Sequence, residues 1–283
     1  MPRVVDTIPE FEAAGRKAAL ESPFRREMML KEGYEGRHTD VFEAFNPRFG
    51  SPGGRAVIAR ELRNIRERVA EARTIMTETI ERIDPLLPEV LGVEAEPAPV
   101  HVLMVGQFST NAAVGRLDGA VARVHCLEWF ESAEGAPVLV AHEGAHAWHE
   151  ISMGDAAASL PADDLAWTAF SEGMATRASR QVVPGRPAAD YFWYGHPADA
   201  DWLPWCETNQ AELMHHFRVS LDIPEATDTF FGGGLVDGRW RVGYYLADVL
   251  ASRIGASLPE MVAMSVDDAR AAVTEAARDT AAG

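Results

Sequence analysis

The sequence predicts a mainly helical α+β protein with a small sheet lobe and a helical C-terminal lobe. Three observations predict it. Apolar residues recur three or four positions apart over most of the chain, the spacing of helices with one buried face. Only two runs, Val100–Val105 and Ala120–Phe130, have strand character. The 283 residues, 47% hydrophobic and 24% charged, are enough to bury a substantial core as one large domain or two closely packed lobes. Residues 1–98 are expected to form an N-terminal helical region. Residues 99–283 are expected to form a second region, with the sheet and one helix up to about 152 and the helical lobe after it, the whole packed as one compact unit.

Taken in order, Phe11–Ser22 and Glu27–Tyr34 read as peripheral helices, and Asn46-Pro47 and Ser51-Pro52-Gly53-Gly54 read as the loops that close this part. From Arg55 to Ile83 a continuous stripe of Ile58, Leu62, Ile65, Val69, Ala72, Ile75, Met76, Ile80 and Ile83 predicts one long helix, stopped by Pro85 and Pro88. The two strands follow, with Gly115 to Gly119 as the turn between them. A helix is expected from Pro137 to Glu150, with proline in its first turn. Others are expected at about Asp163–Gln181, Glu207–Ser220, Trp240–Ile254 and Asp267–Arg278. Tyr191–Trp205 reads as an aromatic, proline-broken loop whose rings are core or line a cleft.

The charge, 26 basic against 43 acidic residues, gives −17 and argues against a nucleic-acid binder, which needs a basic footprint. The arginines at 60, 63, 66 and 68 are interleaved with glutamates at helical spacing, the pattern of a solvated face. Cys126 and Cys206, far apart and in apolar surroundings, read as reduced structural thiols. No apolar run reaches the length of a membrane span, and the first residues lack the apolar stretch of a signal peptide, so a cytoplasmic location away from membranes is expected. Gly232-Gly233-Gly234 is followed by no Gly-Lys-Ser/Thr and is not expected to hold phosphate.

The chemistry lies in Val138-Leu139-Val140-Ala141-His142-Glu143-Gly144-Ala145-His146. On a helix, residues four apart stand one above the other, so His142 and His146 can share one metal ion. Glu143 lies one step round the helix, where a carboxylate can act as a general base on a metal-activated water. Imidazole and carboxylate donors suit zinc. The apolar run entering His142 buries this part of the helix, and a buried glutamate is costly unless a metal or polar cleft accompanies it. A third ligand is needed. Glu172, on a helix whose apolar stripe is Trp167, Phe170 and Met174, is the best candidate, with His149 and Glu150 as alternatives.

With these residues in place, the sequence resembles a gluzincin metallopeptidase, in which HExxH supplies two zinc ligands and the base and a downstream glutamate supplies the third ligand. More narrowly, it is similar to a bacterial family of predicted zinc-dependent proteases of unknown function. Three features carry this: the strand pair before the HExxH helix, the segment Glu172-Gly173-Met174-Ala175, and Gly243-Tyr244-Tyr245-Leu246-Ala247. The resemblance covers roughly Val100 to Asp268. It implies a zincin-like fold, with the zinc cleft between the sheet lobe and the helical lobe, and His142, His146 and Glu172 as zinc ligands with Glu143 as the base. The sequence departs from the thermolysin-like pattern in the 25 residues between His146 and Glu172, and in Thr176, which stands where that pattern has an Asp supporting a ligand.

The expected activity is zinc-dependent hydrolysis of peptide bonds in a peptide or protein substrate. The alternatives are a zinc-binding protein without proteolytic activity, and a zinc hydrolase of small amides. Such chemistry needs a donor to the oxyanion. Tyr244, placed off the apolar stripe of its helix and beside Asp248, is the candidate, with Tyr245, His215 and His216 as alternatives. In the resembling clan an edge strand binds extended peptide, and Ala120–Trp129 is the candidate here.

Overall fold

The sheet is larger than the sequence suggests. In the computed structural model, which describes residues 2–161, 163–194, 196 and 198–278, the strands β1 (Arg3–Asp6), β2 (Val100–Met104), β3 (Ala112–Leu117) and β4 (Ala120–Cys126) form one sheet in the order β1-β2-β4-β3. β2 is parallel to both β1 and β4, and β3 is antiparallel to β4. The turn around Gly119 joins β3 to β4, with Asp118 and Gly119 both at positive φ as a two-residue hairpin of the favoured hand requires. Gly115 therefore lies inside β3. This overturns the expected edge strand: β4 is paired on both sides, so its backbone is committed, and β1 and β3 form the edges.

The chain divides into two compact units, Met1–Pro85 with Ala95–Glu143, and Leu86–Glu94 with Gly144–Gly283. The first holds the sheet and α1 (Ile8–Ala18), α2 (Pro23–Gly33), α3 (Thr39–Phe49), α4 (Pro52–Arg60) and α5 (Leu62–Ile83). The single helix expected over Arg55–Ile83 is broken at Glu61, although α5 buries the expected stripe from Leu62 to Ile83 except Ile75, which is half-buried. The break has a local cause. Ser51 caps α4 by accepting from Gly54 N, and Gly54 lies so close to the Gln107 carbonyl that a Cβ there would sit 1.6 Å from its oxygen. α4 is thereby pinned to the loop after β2.

One face of the sheet carries a sealed polar cluster. The register sets His101 beside Arg123 and Leu103 beside His125, so these side chains share a face. The two imidazoles stack at 5.6 Å with Nδ1 of His101 3.4 Å from Nε2 of His125, and His101 Nε2 lies 3.5 Å from Asp84 Oδ2. Arg123 donates to Asp84. All four residues are buried. Burial alone would raise the Asp84 carboxyl, but the His101 hydrogen bond and the Arg123 charge bring it down to about 2. Burial, then the Arg123 charge, lowers His101 to about 4, and burial lowers His125 well below the usual histidine range. The cluster is thus one ion pair flanked by two neutral imidazoles. Nearby, Glu128 accepts from the amides of Gly106 and Phe108, and burial pushes its carboxyl up to about 7.

The second unit contains α6 (Leu87–Leu91), the later part of α7 (Ala136–Met153), α8 (Leu165–Val182), α9 (Asp190–Trp193), α10 (Trp202–Thr208), α11 (Gln210–Val219), α12 (Ala226–Phe231), α13 (Val242–Ile254), α14 (Leu258–Val262) and α15 (Val266–Arg278). α8 is its centre, packed by α6, α13, α14 and α15. Asp164 caps it by accepting from Trp167 N at 2.8 Å. Gly173 lets α13 approach: a Cβ there would lie 2.4 Å from the Ala247 carbonyl oxygen. The aromatic segment expected as a loop contains α9 and the start of α10, and Tyr191, Phe192, Tyr194 and Trp202 are core. The amides of Gly232, Gly233 and Gly234 are occupied by Asp228, so the triple glycine terminates α12. Both cysteines are free and buried. Among the described residues no helix is long and apolar enough to cross a membrane.

Candidate metal centre

The unit boundary falls inside α7, which runs unbroken from Ala136 to Met153. Val138, Val140 and Ala141 are buried, and His142 and Glu143 follow them into the interior. His146, one turn on from His142, is only half-buried. In the second unit α7 meets α8: His149 lies against the rings of Trp167 and Phe170, and His146 Nε2 lies 3.5 Å from Glu172 Oε1. The result is a convergent donor set. One ligand atom each from His142, His146 and Glu172 lies within 4.8 Å of the others, the only such group of three or more metal-ligating side chains among the described residues.

The neighbours of the triad favour metal binding through one particular nitrogen. Ser171 Oγ is 3.0 Å from His146 Nδ1. With Nδ1–H donating to Ser171, the lone pair falls on Nε2, the atom that faces Glu172. Ser171 was not singled out from sequence. Its signal was faint, a hydroxyl residue adjoining the glutamate. Thr176, in the position of the missing Asp, is buried with a hydroxyl that has no hydrogen-bond partner. His149 is a core residue, 2% exposed, and burial followed by the charge of His146 lowers it to about 4. The convergent group includes neither His149 nor Glu150.

Glu143 is 9% exposed and acts electrostatically on both Arg123 and Cys126 within the first unit. Tyr245 is buried, and its hydroxyl donates to Gln210 Oε1 at 2.6 Å. Tyr244 is half-buried, with its ring edge-on to Phe231 and Tyr194 and the Arg241 guanidinium 4.0 Å from its centre. Asp248, one turn on from Tyr244 in α13, pairs with Arg180 of α8 at 2.9 Å. His215 is exposed beside Arg218, and His216 lies 3.9 Å from Asp237.

The fold and site define an α+β protein with a two-histidine, one-carboxylate donor set on a helix pair. Comparison with family models, curated proteins and solved structures finds no match to this chain.

Proposed function

We propose that the protein is a zinc-dependent peptidase of the gluzincin type. The observation that carries this reading is the convergence of His142, His146 and Glu172. Two imidazoles and a carboxylate are a donor set that zinc accepts, and three protein ligands leave a position open for chemistry. The partial exposure of His146 and Glu172, each 17% at the side chain, agrees with an open rather than a closed site. Bound there, zinc supplies Lewis-acid chemistry, polarising a carbonyl and lowering the pKa of a water to about 7. Glu143 accepts the proton of the attacking water and delivers it to the leaving amine. Tyr244 is the proposed donor to the oxyanion.

The test is hydrolysis of a casein digest, a panel of short peptides and a set of small amides by the wild-type protein and Glu143→Gln, with metal measured in both. The reading expects one zinc per chain in each and turnover only in the wild type. Wild-type turnover in the variant removes Glu143 from the reaction, and cleavage of small amides alone replaces peptides with small amides as the substrate.

A further inference from the structure

In the second unit, Arg241 is built in a way that its own packing does not explain. It precedes α13 with φ 63 and ψ 21, a left-handed conformation that a side-chain-bearing residue adopts only when its surroundings impose it. The surroundings are an aromatic cage. The guanidinium carbon lies 4.0 Å from the ring centre of Tyr244, 5.0 Å from Tyr194, 5.6 Å from Trp193 and 5.8 Å from Trp240. Nε donates to the Phe192 carbonyl at 2.9 Å, and Tyr194 hydrogen-bonds the side chain. Nη2 is sealed from water and has no hydrogen-bond partner. Leaving a charged donor in that state is costly unless something completes it. Glu172, the proposed metal ligand, is among the groups acting on this charge.

We infer that Arg241 is a substrate-binding residue that takes a carboxylate on the substrate near the metal centre, which makes the protein selective for peptides carrying that group. The inference rests on the peptidase reading and deepens it. A guanidinium N–H donates to a carboxylate in a short, charge-assisted hydrogen bond, Nη2 is the nitrogen left open for it, and the Tyr244 ring beneath holds the group in place. Trp240, 44% exposed, is the outer wall of the cage, and it must swing aside for a ligand to reach the sealed Nη2. The carboxylate comes either from a chain terminus or from an acidic side chain.

The test is binding to the full chain, followed by tryptophan fluorescence and titration calorimetry, because Trp193 and Trp240 line the cage. The probes are an N-acetylated dipeptide with a free carboxy terminus, its amide, and the amide carrying one glutamate side chain. The free acid should bind about ten-fold or more tightly than the amide, the difference of one charged hydrogen bond. The glutamate probe assigns the source, supporting a side-chain carboxylate if it binds like the acid and a terminal one if it binds like the amide. Arg241→Gln should abolish the preference and Arg241→Lys should keep part of it. Equal binding of acid and amide to the wild type, a comparison that needs no variant to fold, overturns the inference, as does a preference that survives Arg241→Gln. Cleavage without any preference overturns this inference and leaves the peptidase reading. A preference in a protein that cleaves none of the peptides does the reverse.

Discussion

The protein carries two clusters of similar parts, and their difference separates a structural site from a candidate reactive one. In the sheet unit, His101 and His125 accompany Asp84, with His101 Nε2 3.5 Å from the carboxylate. On α7 and α8, His142 and His146 accompany Glu172, with His146 Nε2 3.5 Å from the carboxylate. The first cluster contains its own cation: Arg123 donates to Asp84, and the four side chains are sealed. In the second, the donor atoms converge and two of the three side chains remain open to solvent. The two histidines on adjacent strands stack with one nitrogen of each turned to the other, whereas histidines one helical turn apart aim at a common point. A carboxylate with a built-in guanidinium has no need of an ion; two imidazoles and a carboxylate whose donor atoms converge are a set suited to one.

The strongest way to break this contrast is to remove one ligand. His146→Ala should lose stoichiometric zinc, measured by elemental mass spectrometry, while its fold, followed by circular dichroism, persists. The matching change in the other cluster should do the opposite. Asp84→Asn leaves Arg123 buried without its counter-charge and should cost about 3–5 kcal/mol in denaturant unfolding, a large part of a domain's stability, with no direct effect on the zinc ligands.

Acidity sharpens the comparison next. The folded pKa of His101, about 4, is lower than its unfolded value, so its contribution is complete above about pH 6.5 and is lost as pH falls through 4. That loss is about 3 kcal/mol, and His125 adds to it in the same direction. Glu128, raised to about 7, works in reverse, favouring the fold below about pH 4.5 and losing that contribution as pH rises through 7, with a size near that of one histidine. The net expectation is falling stability from pH 6.5 to 4 in urea titrations, with a steeper fall in Glu128→Gln. Stability that holds flat in that variant contradicts the neutral, sealed histidines. The smallest expected effect is that of Ser171→Ala, which should weaken zinc binding by about 10–100-fold with the fold unchanged.

The helical face of the candidate site was the most legible part of the sequence because a helix repeats locally: His142, Glu143 and His146 have fixed relations once the period is known. Glu172 could be named as a partner, but the approach that places α8 against α13 depends on Gly173 meeting the Ala247 carbonyl, a contact between distant segments. β1 and β3 were missed for a similar reason. Arg3–Asp6 is too short to carry a pattern, Ala112–Leu117 is poor in β-branched residues, and both are strands because β2 and β4 offer them partners. The break at Glu61 was hidden because the apolar stripe continues across it while Gly54 ties α4 elsewhere. Arg241 had no sequence signal: its aromatic cage draws on α9, α13 and the residue beside it.

The most direct measurement is the zinc content per chain of untagged protein purified without chelator, beside Glu172→Ala. The account predicts close to one zinc per wild-type chain and little in the variant. A wild-type protein that is metal-free and cannot be reloaded, or a variant that keeps its zinc, contradicts the three-residue site.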